Sequence, residues 1–156
     1  MITLGKDKEI ISLAGEYAVA SEVCRRGYYA QVTYGKCKNV DILAVNLENG
    51  KSVLIEVKTK WGSVWPWIKG IKGSNKLLIF VDYQGKKDLE RPDFYILDEN
   101  DWMNFVQACV KRTPGLEIKG GYMPVWHDGK KGIPIRPKDI TKYKEQWEKL
   151  IGKLEN

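Results

Sequence analysis

Val40-Asp41-Ile42-Leu43-Ala44-Val45-Asn46-Leu47-Glu48-Asn49-Gly50-Lys51-Ser52-Val53-Leu54-Ile55-Glu56-Val57-Lys58-Thr59 decides how this chain is read. Two apolar runs rich in β-branched residues flank Glu48-Asn49-Gly50, and Asn-Gly between such runs is the strongest short-range hairpin signal. Taking Asn49-Gly50 as the turn pairs Glu48 with Lys51, Leu43 with Glu56 and Asp41 with Lys58. Strand side chains alternate between faces, so Asp41, Glu56 and Lys58 share one face and Val57 points to the other. A two-residue displacement of the register keeps this arrangement, whereas a one-residue slip destroys it.

Outward from the hairpin, Glu9 to Arg26 reads as a helix with Ile10, Leu13, Ala14, Tyr17, Ser21 and Cys24 on one stripe, stopped by Gly27. Tyr28 to Tyr34 reads as a strand, and a polar loop with Lys36 and Lys38 leads into the hairpin. After it come a long loop from Lys60 to Lys76 holding three tryptophans, a buried strand from Leu77 to Tyr83, and a short strand from Phe94 to Leu97. A helix over Asp98 to Arg112 follows, with Asp101 as its N-cap. Thr113 to Pro137 reads as loop, and Lys138 to Leu154 as a closing helix. One mixed sheet with flanking helices is the expected architecture, an α/β fold in one domain over residues 1–156.

Composition bounds the function. The 156 residues carry 26 Lys and Arg against 20 Asp and Glu, a net charge of +6, with six Trp and eight Tyr. The aromatic and apolar content supports a packed core. The basic balance is compatible with nucleic acid. No apolar run approaches the ~20 residues of a membrane helix, so no membrane role is expected. No secretory signal is visible at the start, which makes a cytoplasmic protein the expectation. The three cysteines show no C-x-x-C spacing, against structural zinc. The single histidine, His127, excludes chemistries that need a histidine pair; in Trp126-His127-Asp128-Gly129 it reads as a turn residue.

The hairpin face carries the chemistry. Two carboxylates a few ångström apart repel, and a divalent cation removes the penalty. Hard oxygen ligands in small number suit Mg²⁺, with Mn²⁺ a substitute, and the cation keeps waters for a phosphate and a nucleophile. Asp41 and Glu56 are the candidate metal ligands, and the Val57 carbonyl is placed to add a third. Lys58 beside the metal can orient or deprotonate the attacking water. Metal, carboxylates and lysine together point to phosphodiester hydrolysis. A further carboxylate, Glu16, sits among Leu13, Val19, Ala20 and Val23 on the first helix. Gly15 before it costs about 0.5–1 kcal/mol in mid-helix, which a close approach of helix to sheet would explain.

These residues resemble the motif of the PD-(D/E)XK nuclease superfamily, which includes restriction endonucleases and archaeal Holliday junction resolvases. There a helix bearing Glu precedes a strand and then a hairpin bearing Asp and Glu-x-Lys; the resemblance covers roughly residues 8–83. It departs at Val40, where many members have Pro. It implies a restriction-endonuclease-like fold and a DNA endonuclease. Asp41 and Glu56 would ligate the metal, Lys58 would activate water and Glu16 would assist the metal site. A homodimer that cuts both strands is the assembly expected. Lys36 and Lys38 at the site mouth, and Lys60 after the catalytic strand, are the candidate phosphate contacts. The Trp-rich segment reads either as a DNA-contact loop or as a satellite core. Two other readings are a catalytically silent nucleic-acid-binding module and an α/β domain with no nucleic-acid role.

Overall fold

The computed structural model describes residues 7–34 and 39–156. Lys36 and Lys38 lie outside the described residues. Helix α1 (Lys8–Arg25) opens on Asp7, whose side chain accepts the N–H groups of Glu9 and Ile10, as an N-cap does. A five-stranded sheet follows, built from β1 (Tyr29–Val32), β2 (Ile42–Val45), β3 (Ser52–Lys60), β5 (Lys76–Asp82) and β6 (Asp93–Leu97) in the spatial order β1-β2-β3-β5-β6. The β3–β5 pair is parallel and the other pairs are antiparallel. The central mixed sheet flanked by helices is the α/β class read from the sequence.

Strand alternation divides the core in two. On one face Val53, Ile55, Val57, Leu77, Ile79 and Val81 meet Val19 and Val23 of α1 and Trp147, Leu150 and Leu154 near helix α3 (Glu148–Glu155). On the other, Leu78, Phe80, Tyr95 and Leu97 meet Trp102, Val106 and Cys109 of α2 (Glu99–Arg112). Burial of β5 on both faces accounts for its unbroken apolar run.

The stripe expected inward on α1 is the outer one. Ile10, Leu13 and Tyr17 are exposed, as are Ala14, Ser21 and Cys24. The buried face is Gly15, Val19, Glu22 and Val23. A glycine and a glutamate within it hide the apolar periodicity. Gly15 is there for clearance: a Cβ at this position would lie 1.7 Å from Thr59 Oγ1. The close approach of helix to sheet is therefore present, and Thr59 Oγ1 is buried beneath it with no hydrogen-bond partner.

The second half differs most from expectation. The segment read as loop contains β7 (Leu116–Lys119), β8 (Met123–Trp126) and β9 (Ile133–Ile135). β7 and β8 form a hairpin, and β9 pairs with β4 (Trp65–Ile68) from inside the Trp-rich segment. A proline in each of β4, β8 and β9 masks period-2 alternation, and β7, Leu116-Glu117-Ile118-Lys119, alternates over only four residues. The closing helix is confined to α3; single 3₁₀ turns at Pro137–Asp139 and Thr141–Tyr143 precede it, and Glu145 takes a positive φ of 56°. At α2 the cap is Asp98, whose side chain accepts the Asp101 N–H while Asp101 returns the bond to the Asp98 N–H, a reciprocal capping box.

Candidate active site

The hairpin turn is a four-residue loop, Leu47 to Gly50. Asn46 N–H donates to Lys51 O, Gly50 N–H donates to Asn46 O, and Gly50 takes a φ of 76°. The Asn46 side chain bonds the Glu48 N–H and the Leu154 carbonyl, which fixes the longer turn. In consequence the register is displaced by two residues from the expected one: Ile42 faces Ile55, not Val57. An even displacement leaves Glu56 and Lys58 together on the face opposite Ile55 and Val57.

Asp41 sits where β2 leaves β3. Its N–H donates to Ile55 O at 2.9 Å while Ile42 is also aligned with Ile55. Two residues against one is the arrangement of a β-bulge, which re-aims a side chain. The backbone groups of odd-numbered β3 residues point toward β2, since those of Leu54 point the other way, to Asn75 O at 2.9 Å. Val57 N–H therefore faces the space β2 has vacated. Asp41 Oδ2 fills it, accepting that N–H at 2.7 Å, and the Val57 carbonyl points to the same side. On the far edge Thr33 secures the turn, its N–H donating to Asp41 O and its hydroxyl to Val40 O at 2.7 Å.

Glu16 joins Asp41 in a cleft of 580 Å³ between α1 and the β1–β2 edge, lined also by Tyr17, Tyr29, Gln31 and Tyr34. Burial first, and then the nearby Asp41 charge, push the Glu16 carboxyl above the usual carboxylate range. The negative pair would be relieved by a cation in that cleft. On β3, Glu56 Oε1 and Lys58 Nζ form an ion pair of 2.9 Å. The four expected residues thus come from three elements and fall into two pairs: Glu16 of α1 shares the cleft with Asp41 at the end of β2, and Glu56 meets Lys58 on β3. Among the described residues no three acidic, histidine or cysteine side chains are drawn together closely enough to hold a metal ion as they stand. The donor set still fits a hard cation at Asp41: carboxylates, a backbone carbonyl and no soft ligand.

Lys60 is placed differently from the surface contact expected. It is 4% exposed, and its ammonium bonds Asp82 Oδ1 at 2.6 Å, Gly62 O at 2.8 Å and Gln84 Oε1 at 3.3 Å, above the Trp65 ring. It ties β3 to β5 from inside, and no phosphate reaches it there. The Trp-rich segment divides: Trp65 is core, Trp61 stacks on Tyr83, and Trp67 is exposed. Cys109 is buried and Cys24 exposed. The aromatic lining of the cleft carries no separate signal in the sequence, because Tyr17 falls on the stripe that reads as inward and Tyr29 and Tyr34 fall within the stretch that reads as a strand.

No protein-family model matches the chain, and no curated protein matches it in sequence. Its structure is similar to that of a bacterial homing endonuclease, I-Ssp6803I, with a TM-score of 0.55 and 13% sequence identity, over 94% of this chain and 95% of that one. The likeness spans nearly all of both chains and is one of fold. No helix among the described residues is long and apolar enough to cross a membrane.

Proposed function

We propose that this chain is a metal-dependent endonuclease that hydrolyses phosphodiester bonds in DNA, with a PD-(D/E)XK-type site. The observation that carries the reading is the Asp41 carboxylate bonded to Val57 N–H at the end of β2, with Glu16 in the same cleft and the Glu56–Lys58 pair on the adjoining strand. The fold shared with a homing endonuclease adds support.

Asp41 and Glu56 would hold Mg²⁺ or Mn²⁺ with the Val57 carbonyl, and Glu16 would help to balance its charge. When bound, the ion supplies Lewis-acid polarisation of the phosphate and acidifies water. The bulge at Asp41 fixes the carboxylate in advance, so no rotamer freedom is lost at reaction. Lys58, held by Glu56, orients the attacking water and offsets the charge that grows on the phosphate. The test is a titration of Mg²⁺ or Mn²⁺ into the wild type, Asp41→Ala and Lys58→Ala, following labelled duplex, single-stranded and four-way-junction DNA. Metal-dependent cleavage that vanishes in both variants, with DNA binding retained in Lys58→Ala, supports the reading; cleavage retained in Lys58→Ala sinks it.

A second reading, a silent DNA-binding module on this fold, is favoured by the lack of a gathered three-ligand cluster among the described residues. It expects DNA binding indifferent to metal, and no cleavage at all.

A further inference from the structure

β4 and β9 pair through Trp65-Pro66-Trp67-Ile68 and Ile133-Pro134-Ile135. Trp65 faces Ile135 and Ile68 faces Ile133, so β4 has one residue more than β9 between the two pairings. Pro66 and Pro134 have no N–H to give to a ladder, and the surplus residue bulges outward there. Trp67 sits in that bulge with a φ of 53°. A bulky residue in the left-handed region is rare, and such strain gathers at ligand clamps.

The strain is held by Gly132. A Cβ on Gly132 would lie 2.6 Å from the carbonyl carbon and oxygen of Trp67, so only glycine lets the two backbones meet. Gly132 is fixed in turn, its carbonyl accepting the Trp126 Nε1–H at 2.8 Å and its N–H donating to Pro124 O at 2.9 Å. All this rigidity presents an indole to solvent: Trp67 is 54% exposed. It borders a concavity of 390 Å³ shared with Gly115, Trp126, His127, Asp128 and Lys130. Lys130 Nζ lies 6.0 Å from the ring centroid, and Lys69 and Lys131, next to β4 and β9, are exposed. Lys130 Nζ also lies 3.6 Å from Asp128 Oδ2 in an exposed pair that solvent screens, and Lys69 and Lys131 add two further cations near the indole.

We propose that Trp67 is a base-stacking residue of a DNA-contact surface separate from the Asp41 cleft, with Lys130 and Lys131 on flanking phosphates. An aromatic face accepts any base, and adjacent lysines track the backbone. The assignment rests on the reading of DNA as substrate. It has no need of the Asp41 site, so it is tested without metal.

The experiment measures binding of fluorescein-labelled duplex and single-stranded DNA in EDTA, over a range of salt, beside urea unfolding of each variant. Trp67→Gly removes the ring and relieves the positive φ. It should bind roughly tenfold more weakly while unfolding at the same or higher urea concentration, and Trp67→Phe should recover most of the affinity. Lys130→Ala with Lys131→Ala should lower the salt slope by about two. Wild-type affinity in Trp67→Gly overturns this inference and leaves the nuclease reading intact. Loss of stability together with affinity in Trp67→Gly marks the ring as structural and also overturns it. No DNA binding by the wild type in EDTA overturns this inference too, and the nuclease reading then stands or falls by its own metal titration.

Discussion

Asp41 Oδ2 accepts the backbone N–H of Val57 at 2.7 Å, so the carboxylate proposed to hold a metal is tied to the residue whose carbonyl is proposed to join it. The bond replaces a missing rung of the β2–β3 ladder. Asp41→Asn keeps an acceptor for Val57 and should fold normally with cleavage abolished. Asp41→Ala orphans the N–H, and a half-buried donor left without its partner costs about 1–3 kcal/mol. Urea unfolding of the two variants should separate by that amount, with cleavage absent in both. Equal stability would mean that the bond contributes nothing to the fold.

The Glu16 carboxyl is held above its ordinary range by burial and by Asp41. Its ionisation is then less favourable in the folded chain than in the unfolded one. The metal-free protein should lose stability as pH rises from the ordinary carboxylate range through the raised value. Glu16→Gln should remove that loss, and millimolar Mg²⁺ should raise the melting temperature of the wild type but not of Asp41→Asn. Melting curves across pH, with and without Mg²⁺, check all three expectations.

Glu22 titrates in the opposite sense. Burial alone would raise its carboxyl, but hydrogen bonds from Arg91 and Arg26 and the charges of Arg91 and Arg25 outweigh burial and lower it. Its stabilising contribution is present above the ordinary glutamate value and is lost as pH falls toward the lowered one. Glu22→Gln should therefore be destabilised at neutral pH, and the difference from wild type should shrink in acid. A pH-independent difference would assign the effect to packing.

Alanine is the better helix former at an ordinary mid-helix site. At position 15 its Cβ runs into Thr59, and overpacking of this kind costs about 1–3 kcal/mol. Gly15→Ala should lower the urea midpoint and also reduce cleavage, because the clash lifts Glu16 from the cleft. Thr59→Ala should relieve part of both effects.

Lys60 and Asp82 are almost fully buried, so removing one partner strands a charge. Asp82→Ala should cost about 3–5 kcal/mol, whereas Lys60→Met with Asp82→Leu should come close to wild type. The double variant should bind DNA with an unchanged salt slope. A slope reduced by about one would return Lys60 to the phosphate contacts.

The first half of the fold was legible because its signals are local. Alternation marked the strands, and Gly15 before Glu16 announced a close helix–sheet contact. The face shared by Glu56 and Lys58 survived a wrong turn because the displacement was even. What resisted reading was set by distant partners. The inner stripe of α1 holds Gly15 and Glu22, and Glu22 is satisfied by Arg91 from far along the chain. Lys60 looks like any surface lysine until Asp82 is placed beside it. β4 and β9 signal as loops because their prolines erase the pattern, and each becomes a strand only through the other.

α3 is made after every other described element, yet Leu150 and Leu154 complete the core beneath α1 and the hairpin, and the Leu154 carbonyl accepts the side chains of both Asn46 and Asn49 in the turn. During synthesis, β2 and β3 must wait with part of one apolar face uncovered, beside α1, until α3 has emerged. A ribosome that stalls or a message that ends early therefore releases a sheet with its hairpin turn unsecured. The order of translation itself delays assembly of the Asp41 cleft until the polypeptide through α3 has been delivered.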